Sequence, residues 1–304
     1  MLTVIIPCYN SEDTIKETIE SVEKQTSDSF KILIIDDGST DNGKEIVNKL
    51  NLKYKNIDYV YKENGGVSSA RNLGIKLADT DYVSFLDSDD LYHRDFVKSM
   101  LENITKDDAD VSFCSYYMYY PNKMRMARSS FKDRNIALEY IKGNNSTHTS
   151  CFVLSRDFLI NNKIEFDETI SWGEDVYFFL KCLTISGRAS IVKDYLTYYR
   201  IPQGNNNLSN YDSSSLEKDK IFIYKILNDS DIILNTKETE ALLSYRLPAL
   251  LTYGLLRLKS SGTSSDKMKD LYNEYKDDIN RFKPTLDLRS IKLLFNIIRL
   301  KLII

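Results

Sequence analysis

The first hundred residues alternate short apolar runs with segments of helical spacing. Four runs show little polar alternation, at residues 4–6, 31–35, 57–61 and 82–86. Each of the first three precedes a segment with apolar positions at helical spacing, such as Ile15, Ile19 and Val22, and Ser11 is the expected N-cap of that first helix. Strands of this kind separated by helices are typical of a parallel sheet covered on both faces. The pattern therefore predicts an α/β fold with a mostly parallel sheet flanked by helices.

Beyond residue 110 the regular alternation gives way to isolated strands and then to helices. Strand character returns at residues 111–120, 151–154 and 188–199, and a helix is expected to start near Trp172. The polar stretch 203–215 predicts a mobile loop. Helical segments follow at 216–229, 237–259, 265–280 and 286–304. We therefore divide the chain into three parts, residues 1–110, 111–205 and 206–304.

Composition excludes several classes of protein. The chain has 304 residues, 41 Lys and Arg, 44 Asp and Glu, and a net charge of −3, which argues against a nucleic-acid-binding protein. Only two histidines are present, so proton transfer is expected to use carboxylates. Four scattered cysteines without His neighbours favour reduced thiols over zinc. No basic stretch precedes the first apolar run, so we expect a strand rather than a signal peptide, and a cytoplasmic location.

Paired carboxylates follow the fourth apolar run. Asp87 and Asp89 are separated by one residue at the predicted end of a buried strand, where two negative charges would repel each other without a cation. A divalent ion such as Mn²⁺ or Mg²⁺, also held by substrate phosphates, would relieve that repulsion and neutralise a diphosphate leaving group. The alternative is a solvated turn in which an aspartate caps the following helix. The buried strand and the aspartates after its neighbour favour the metal site.

Two further strand-end features suggest a nucleotide site. A carboxylate at Asp36 or Asp37 could accept a hydrogen bond from a nucleobase imide N–H, although capping is the favoured role for Asp36 and an equal alternative for Asp37. Gly65 and Gly66 open a helix whose N–H groups could meet an anion, with Arg71 one turn further on. This glycine pair is a weak signal by itself, because it lacks the spacing of a dinucleotide or P-loop motif.

Glu174 and Asp175 follow Trp172-Gly173 at the predicted start of a helix. Acidic side chains are stabilised at a helix N-terminus by the helix dipole, and that explanation alone would account for them. The equally weighted functional interpretation makes one of them a general base, which is a natural task for a carboxylate where histidine is scarce.

Five segments together resemble glycosyltransferase family 2, in order and spacing over roughly residues 1–200: VIIPCYN, DDGSTD, NGGVSSARNLG, FLDSDD and WGED. The resemblance implies an inverting, bacterial-type enzyme of glycan or polysaccharide assembly with a GT-A fold. By this likeness residues 1–110 form the nucleotide-sugar-binding half of the GT-A domain, residues 111–205 form its acceptor-binding half, and residues 206–304 form a helical C-terminal region.

The same resemblance implies roles for individual residues. Pro7, Tyr9 and Asp37 would hold the nucleobase, most often uracil in this family, and Arg71 would contribute to the same pocket. The remaining roles by likeness are Asp87 at the ribose and metal, Asp89 on the metal, Asp175 as catalytic base, Glu174 beside it contacting the acceptor or orienting the site, and Arg200 near the diphosphate.

One departure from the family concerns the group that closes over the diphosphate. Many relatives carry a histidine shortly after the arginine that corresponds to Arg200, whereas this chain continues Ile201-Pro202-Gln203. Arg200 and the Asn-rich loop are the candidates for that contact. His148, between two threonines, is expected to be a surface residue, with acceptor binding as the alternative.

We therefore expect a hexosyl- or N-acetylhexosaminyl-transferase that moves a sugar from a UDP-sugar to a hydroxyl of a glycan, lipid-linked or protein-linked acceptor, with Mn²⁺ or Mg²⁺. The alternative is a catalytically inactive nucleotide- or glycan-binding module on the same scaffold. A nucleotidyltransferase is disfavoured, because the first strand is not followed by a Gly-rich basic loop. The sugar, the acceptor, the linkage and the oligomeric state, including a homo-oligomer, stay open.

Two further surfaces are candidates for partner binding. The tyrosines of residues 116–120, with Lys123, Arg125 and Arg128 after them, could stack on or pair with an acceptor, although core packing of the tyrosines is the favoured alternative. In residues 286–304 a polar stripe opposes a wide apolar face, which fits a helix at the inner face of a membrane. Packing on the protein or in an oligomer interface explains that helix equally well.

Overall fold

The structure, a computed structural model, describes residues 1–201 and 211–304. It divides into two units, the first comprising Met1–Ile136 and Asn144–Gln203, and the second comprising Ala137–Gly143 and Gly204–Ile304. The separate roles expected for residues 1–110 and 111–205 within the first unit stay predictions.

The described residues form twelve α-helices and nine strands, with a 3₁₀ turn at Thr149–Cys151 and a π-helical turn at Leu242–Arg246. In chain order these elements are β1 (Leu2–Cys8), α1 (Ile15–Glu23), β2 (Phe30–Asp36), α2 (Gly43–Lys53), β3 (Ile57–Tyr61), α3 (Val67–Leu77), β4 (Tyr82–Phe85), β5 (Leu91–Tyr92), α4 (Phe96–Lys106), β6 (Val111–Tyr120), β7 (Lys123–Met126), α5 (Ile136–Ile141), β8 (Phe152–Ser155), α6 (Arg156–Asn161), α7 (Glu174–Ile185), β9 (Ala189–Arg200), α8 (Ser213–Asn228), α9 (Thr236–Ala241), α10 (Leu247–Ser260), α11 (Ser265–Asn280) and α12 (Leu288–Ile303).

The described strands form one sheet in the order β3-β2-β1-β4-β8-β6-β9-β5, with β7 paired to β6. The first four strands are parallel, as their unbroken apolar runs predicted. β8 runs antiparallel to both β4 and β6, and β5 runs antiparallel to β9, so the second half of the sheet is mixed. The α/β class and the parallel first half are confirmed. Because β1, β2 and β4 run in the same direction, their carboxyl ends meet at one edge.

Burial of β1 on both faces explains why its residues are almost all apolar. Every residue of β1 is buried, and α1 packs its apolar stripe inward. Gly74 of α3 allows a close approach, since a Cβ at that position would lie 2.4 Å from Cγ2 of Ile5. The predicted N-cap Ser11 is wrong, because α1 begins at Ile15 and Ser11 contributes only its backbone carbonyl, which accepts from the Ile15 N–H.

An aromatic cluster joins α7 to the strand ends of the first unit. Phe166 stacks on Phe178 of α7 with ring centroids 3.8 Å apart, and Phe85 at the end of β4 meets Phe166 edge to face at 5.1 Å. Phe179 of α7 stacks on Phe152 of β8 at the same 3.8 Å spacing. Such rings bury large apolar areas, so this cluster holds the N-terminus of α7 near the carboxyl end of β4.

The described part of the second unit is helical, as the sequence pattern of residues 216–304 predicted. α8 begins at Ser213 with Asp212 as N-cap, so the expected loop is wrong for residues 213–215. Residues 202–210, which include most of the Asn-rich stretch, lie outside the described residues. Within residues 1–201 and 211–304, no helix is long and apolar enough to cross a membrane.

Candidate functional site

The carboxyl ends of β1 and β2 form the first part of the site. Pro7 of β1 lies opposite Ile35 of β2, and the next residue, Cys8, accepts a 2.8 Å hydrogen bond from the backbone N–H of Asp37. Tyr9, which follows β1, is 54% exposed. The structure therefore places Pro7 and Tyr9 at the same sheet edge as Asp37, with the tyrosine ring open to solvent.

Asp36 and Asp37 have different surroundings although they are neighbours. Both are buried. Asp36 accepts hydrogen bonds from the Ser39 N–H and the Tyr59 hydroxyl, so each of its oxygens stabilises the protein's own chain. These two hydrogen bonds stabilise the turn after β2, and Asp36 does not cap a helix.

Asp37 accepts hydrogen bonds from the glycine N–H groups that the sequence suggested for binding an anion. Its Oδ1 accepts from Lys62 Nζ at 2.5 Å and from the Gly65 N–H at 2.9 Å, and its Oδ2 accepts from the Gly66 N–H at 2.8 Å. The expectation that these two glycine N–H groups are free to meet an anion is therefore wrong, because Asp37 itself is the anion they bind. Oδ2 accepts one described hydrogen bond, and a carboxylate oxygen has room for two.

Arg71 on α3 connects two motifs that lie far apart in the sequence. It is only 3% exposed, its Nη2 donates a 2.8 Å hydrogen bond to Asp87 Oδ1, and its Nη1 lies 3.5 Å from Glu174 Oε1. Its guanidinium also lies over the ring of Phe166, 5.1 Å from the centroid. Burial disfavours the charged guanidinium, but Asp87, Glu174 and Asp175 outweigh it and raise the pKa of Arg71.

The turn after β4 carries three aspartates in different environments. Burial, and then the charge of Asp87, raise the pKa of Asp89. Asp90 is fully buried, and its Oδ1 accepts a 2.9 Å hydrogen bond from the Arg200 N–H. Burial raises the pKa of Asp90 to about 7, although the positive charge of His148 opposes the shift.

The chemistry of this turn suits a hard divalent cation. Among residues 1–201 and 211–304, no three His, Cys, Asp or Glu side chains are placed to hold an ion by themselves. Asp87 and Asp89 supply two carboxylates, and the charge of Asp87 contributes to the raised pKa of Asp89, which Arg200 and His148 offset only in part. Mg²⁺-type sites in transferases commonly use one or two carboxylates and complete their coordination with substrate phosphates. The residues present therefore fit such an ion.

His148 lies inside the site, so the expectation of a surface residue is wrong. Its side chain is 13% exposed, and Nδ1 lies 3.4 Å from Asp90 Oδ2. Nε2 lies 3.0 Å from the Thr197 hydroxyl, and the ring meets Tyr116 edge to face at 4.7 Å. Burial lowers the pKa of His148, but Cys151 and Asp90 more than compensate, and the resulting pKa is about 9.

Glu174 and Asp175 begin α7, as the sequence predicted. Gly173 adopts a left-handed φ of 76° before them, a conformation that glycine reaches without a steric penalty. Burial, and then the charge of Asp175, raise the pKa of Glu174, whose carboxylate faces Arg71. Asp175 Oδ2 lies 3.5 Å from the Thr149 hydroxyl. The two acids thus lie close together beside the same arginine.

Arg200, at the end of β9, contacts the aspartate turn that follows β4. Its Nε donates to the Asp89 carbonyl at 2.7 Å, and its Nη2 donates to Glu17 at 2.7 Å. The guanidinium is one quarter exposed. It therefore lies at the aspartate turn while part of it is accessible to a ligand.

Tyr199 is a member of the site that sequence reasoning missed. It is 40% exposed, and its ring centroid lies 5.3 Å from that of His148. Burial, and then the charges of Asp90, Asp89, Asp87 and Asp175, raise its pKa. Alternation along β9 was an available signal, because Thr197 and Tyr199 must point to the same face.

The tyrosines of β6 are divided between the two faces of the sheet. Tyr116 contacts His148, whereas Tyr117 stacks on Tyr198 with centroids 5.4 Å apart. All four tyrosines of residues 116–120 are partly exposed, so they are not core residues. Lys123, Arg125 and Arg128 are exposed beside them.

Comparison with known proteins now defines the class. The profile described as "Glycosyl transferase family 2" matches residues 3–165, more than half of the chain, so the chain belongs to this family. It is 28% identical to the poly(ribitol-phosphate) beta-N-acetylglucosaminyltransferase TarP of Staphylococcus aureus over 94% of this chain and 88% of TarP. It is 34% identical to an uncharacterized glycosyltransferase of Rickettsia felis over 75% of this chain, but spans only 37% of that protein.

The fold also matches that of solved glycosyltransferases. The crystal structure of S. aureus TarS residues 1–349 with UDP-GlcNAc superposes with a TM-score of 0.71 at 24% sequence identity, over 98% of this chain and 88% of that one. The architecture is therefore that of a GT-A glycosyltransferase with a helical C-terminal region. The chain is a family 2 glycosyltransferase of bacterial type.

Proposed function

We propose that this glycosyltransferase is an inverting, metal-dependent enzyme that moves a sugar from a UDP-sugar to a hydroxyl of a glycan, lipid-linked or protein-linked acceptor. The observation that carries the proposal is the position of Arg71. It contacts both Asp87 of the aspartate turn and Glu174 beside Asp175, so the candidate metal carboxylates and the candidate base share one neighbour.

Uracil fits the edge formed by Pro7, Tyr9 and Asp37. Asp37 Oδ2 has room for one more donor, which suits the imide N–H of uracil. Tyr9 offers an exposed ring on which a base can stack. TarS, whose structure contains UDP-GlcNAc, and TarP, which is named as an N-acetylglucosaminyltransferase, make UDP-GlcNAc the first donor to test.

Asp87 and Asp89 would hold Mn²⁺ or Mg²⁺ together with the donor diphosphate. When bound, the ion neutralises the negative charge that develops on the departing UDP. Arg200 would add a positive charge at the same turn, since its guanidinium is one quarter exposed and already contacts the Asp89 carbonyl. These groups would stabilise negative charge on the leaving group. Proton transfer would be the task of an acid at the start of α7.

Asp175 would remove the proton from the acceptor hydroxyl as that oxygen attacks the anomeric carbon. Glu174, paired with Arg71, would orient the acceptor beside it. UDP-GlcNAc carries an α-linked sugar, so a β-linked product, as in the name of TarP, requires inversion and hence a single displacement. A single displacement needs one base on the acceptor side and no protein nucleophile, which is what this pair of acids offers.

A nucleotide-sugar panel tests the proposal. We would measure the thermal shift of the protein with Mn²⁺ and UDP-GlcNAc, UDP-GalNAc, UDP-glucose, UDP-galactose or GDP-mannose, because a ligand that binds the folded state raises its apparent stability. We expect the largest shift with one of the UDP-sugars, followed by UDP release on incubation and loss of that release in excess EDTA.

Two results would contradict it. A flat response to all UDP-sugars would argue against the donor, and undiminished UDP release in EDTA would argue against the metal. NMR of the transferred sugar with a hydroxyl acceptor tests the stereochemistry, for which we expect a β anomer from an α-linked donor.

A further inference from the structure

Helix α12 has two apolar faces, one buried within the second unit and one exposed. Leu293, Ile297 and Leu300 are buried, and α12 packs against α10 of the same unit. A second row of large apolar side chains is exposed, namely Leu288, Ile291, Leu294, Phe295, Ile298 and Leu302. The single wide apolar face expected from the sequence is therefore divided, and only part of it serves internal packing.

The exposed row is continuous along the helix. Its members recur at spacings of three and four residues from Leu288 to Leu302, which corresponds to roughly 20 Å of helix. Phe295 is 67% exposed and Leu302 is 81% exposed. Single exposed apolar residues are ordinary, but a contiguous row of them marks a surface that another phase or molecule covers.

Basic side chains border this row on both sides. At 100° per residue, Lys292 and Arg299 lie along one border and Lys301 lies along the other. No acidic residue follows Asp287 in the sequence. Within residues 1–201 and 211–304, Lys292 and Arg299 make no hydrogen bond or ion pair, whereas Lys301 donates to Asn280 at 2.9 Å.

We propose that α12 docks on the surface of a lipid bilayer that contains anionic headgroups. The exposed row enters the boundary between headgroups and acyl chains, and the bordering cations meet lipid phosphates. A second copy of the chain fits this surface less well. In a symmetric dimer the same patch meets itself, so basic borders would face basic borders without an acidic partner on either helix.

Vesicle co-sedimentation of the full chain tests this docking. Vesicles of phosphatidylcholine alone are compared with vesicles that also contain phosphatidylglycerol. We expect binding to the anionic vesicles to be at least about tenfold tighter and to weaken as salt is raised. The double variant Lys292→Glu/Arg299→Glu should weaken it by at least about thirtyfold, and Phe295→Ser/Leu302→Ser should abolish it.

A matched control separates the helix from net charge. Lys267→Glu/Lys269→Glu changes two exposed lysines of α11 and alters the total charge by the same amount. We expect the control to reduce vesicle binding by less than about threefold. Equal loss in both charge variants would overturn the docking of α12.

Self-association is the competing explanation and is measured in parallel. Analytical ultracentrifugation of the wild type without vesicles should show a species whose mass does not increase as the protein concentration is raised. If the wild type instead self-associates and Phe295→Ser/Leu302→Ser abolishes that association, a second copy covers the row and the lipid proposal is wrong. Circular dichroism confirms that the variants, all at exposed positions, are folded.

Discussion

Arg71 donates a 2.8 Å hydrogen bond to Asp87 across sixteen positions of the sequence, and it does so from a nearly buried position on α3. The same guanidinium faces Glu174 of α7. Its Nε and Nη1 have no hydrogen-bond partner within the described residues. Arg71 is thus a shared counter-charge for the aspartate turn and for the acids of α7.

Arg71→Met should destabilise the protein. The substitution roughly conserves side-chain volume but leaves Asp87 and Glu174 without their counter-charge, and removing one partner of a buried ion pair costs about 3–5 kcal/mol. Because Asp87 is 31% exposed, we expect a value near the lower limit, measured by urea unfolding. Arg188→Met, which removes a half-exposed arginine, is the control and should cost less than about 1 kcal/mol.

Asp175→Asn should abolish transfer while the protein stays folded. Loss of a positioned general base typically reduces the rate by about 10²–10⁴-fold, and the amide cannot accept the acceptor proton. The rate is measured as UDP release with acceptor, and donor affinity as a thermal shift, which should persist. The control Asp157→Asn changes an exposed acid in the first turn of α6. Undiminished transfer in Asp175→Asn would show that another group is the base.

Asp89→Asn should remove the stabilisation by Mn²⁺ without lowering the stability of the metal-free protein. Burial and the charge of Asp87 raise the pKa of Asp89, so neutralising this side chain removes its repulsion with Asp87. Thermal unfolding with and without Mn²⁺ and UDP checks both parts. Asp58→Asn, at an exposed position of β3, should respond to Mn²⁺ as the wild type does.

Asp37→Asn should change the preference among nucleotides. The wild-type carboxylate can only accept a hydrogen bond, which suits the imide N–H of uracil, whereas an asparagine amide can also donate to the ring nitrogen of cytosine. Calorimetry with UDP and CDP should show the UDP preference falling by at least about tenfold. An unchanged ratio of the two affinities would mean that Asp37 does not contact the base.

His148→Gln should make the protein less stable below neutral pH and have less effect at alkaline pH. The folded-state pKa of His148 is about 9, above the ordinary value of 6.5. Its charged form therefore contributes stability that is fully present below about pH 6.5 and is lost as the pH rises through about 9. Urea unfolding across that range should show the difference from the wild type shrinking.

The sequence predicted the parallel half of the sheet because strands buried on both faces appear as continuous apolar runs separated by segments of helical periodicity. Each of the four apolar runs is a strand of the parallel half, and β4 lies beside β1 rather than beside β3, which precedes it in the chain. The antiparallel pairings of β5 and β8 were not predicted, because these short strands carry little periodicity and their partners are distant in the chain. The hairpin pairing of β7 with β6, which precedes it directly, was not predicted either.

The amino-acid sequence alone therefore determined the family, the α/β class and the positions of Asp37, Asp87, Asp89 and Asp175 at element ends. Only the tertiary structure decided which partners these groups meet. Asp90 accepts from Arg200 across 110 positions, and His148 approaches Asp90 only because β9 and the 3₁₀ turn pack beside the β4 end. Hydrophobic periodicity specifies which face of an element is buried, but the pairing of polar groups depends on how those faces pack together.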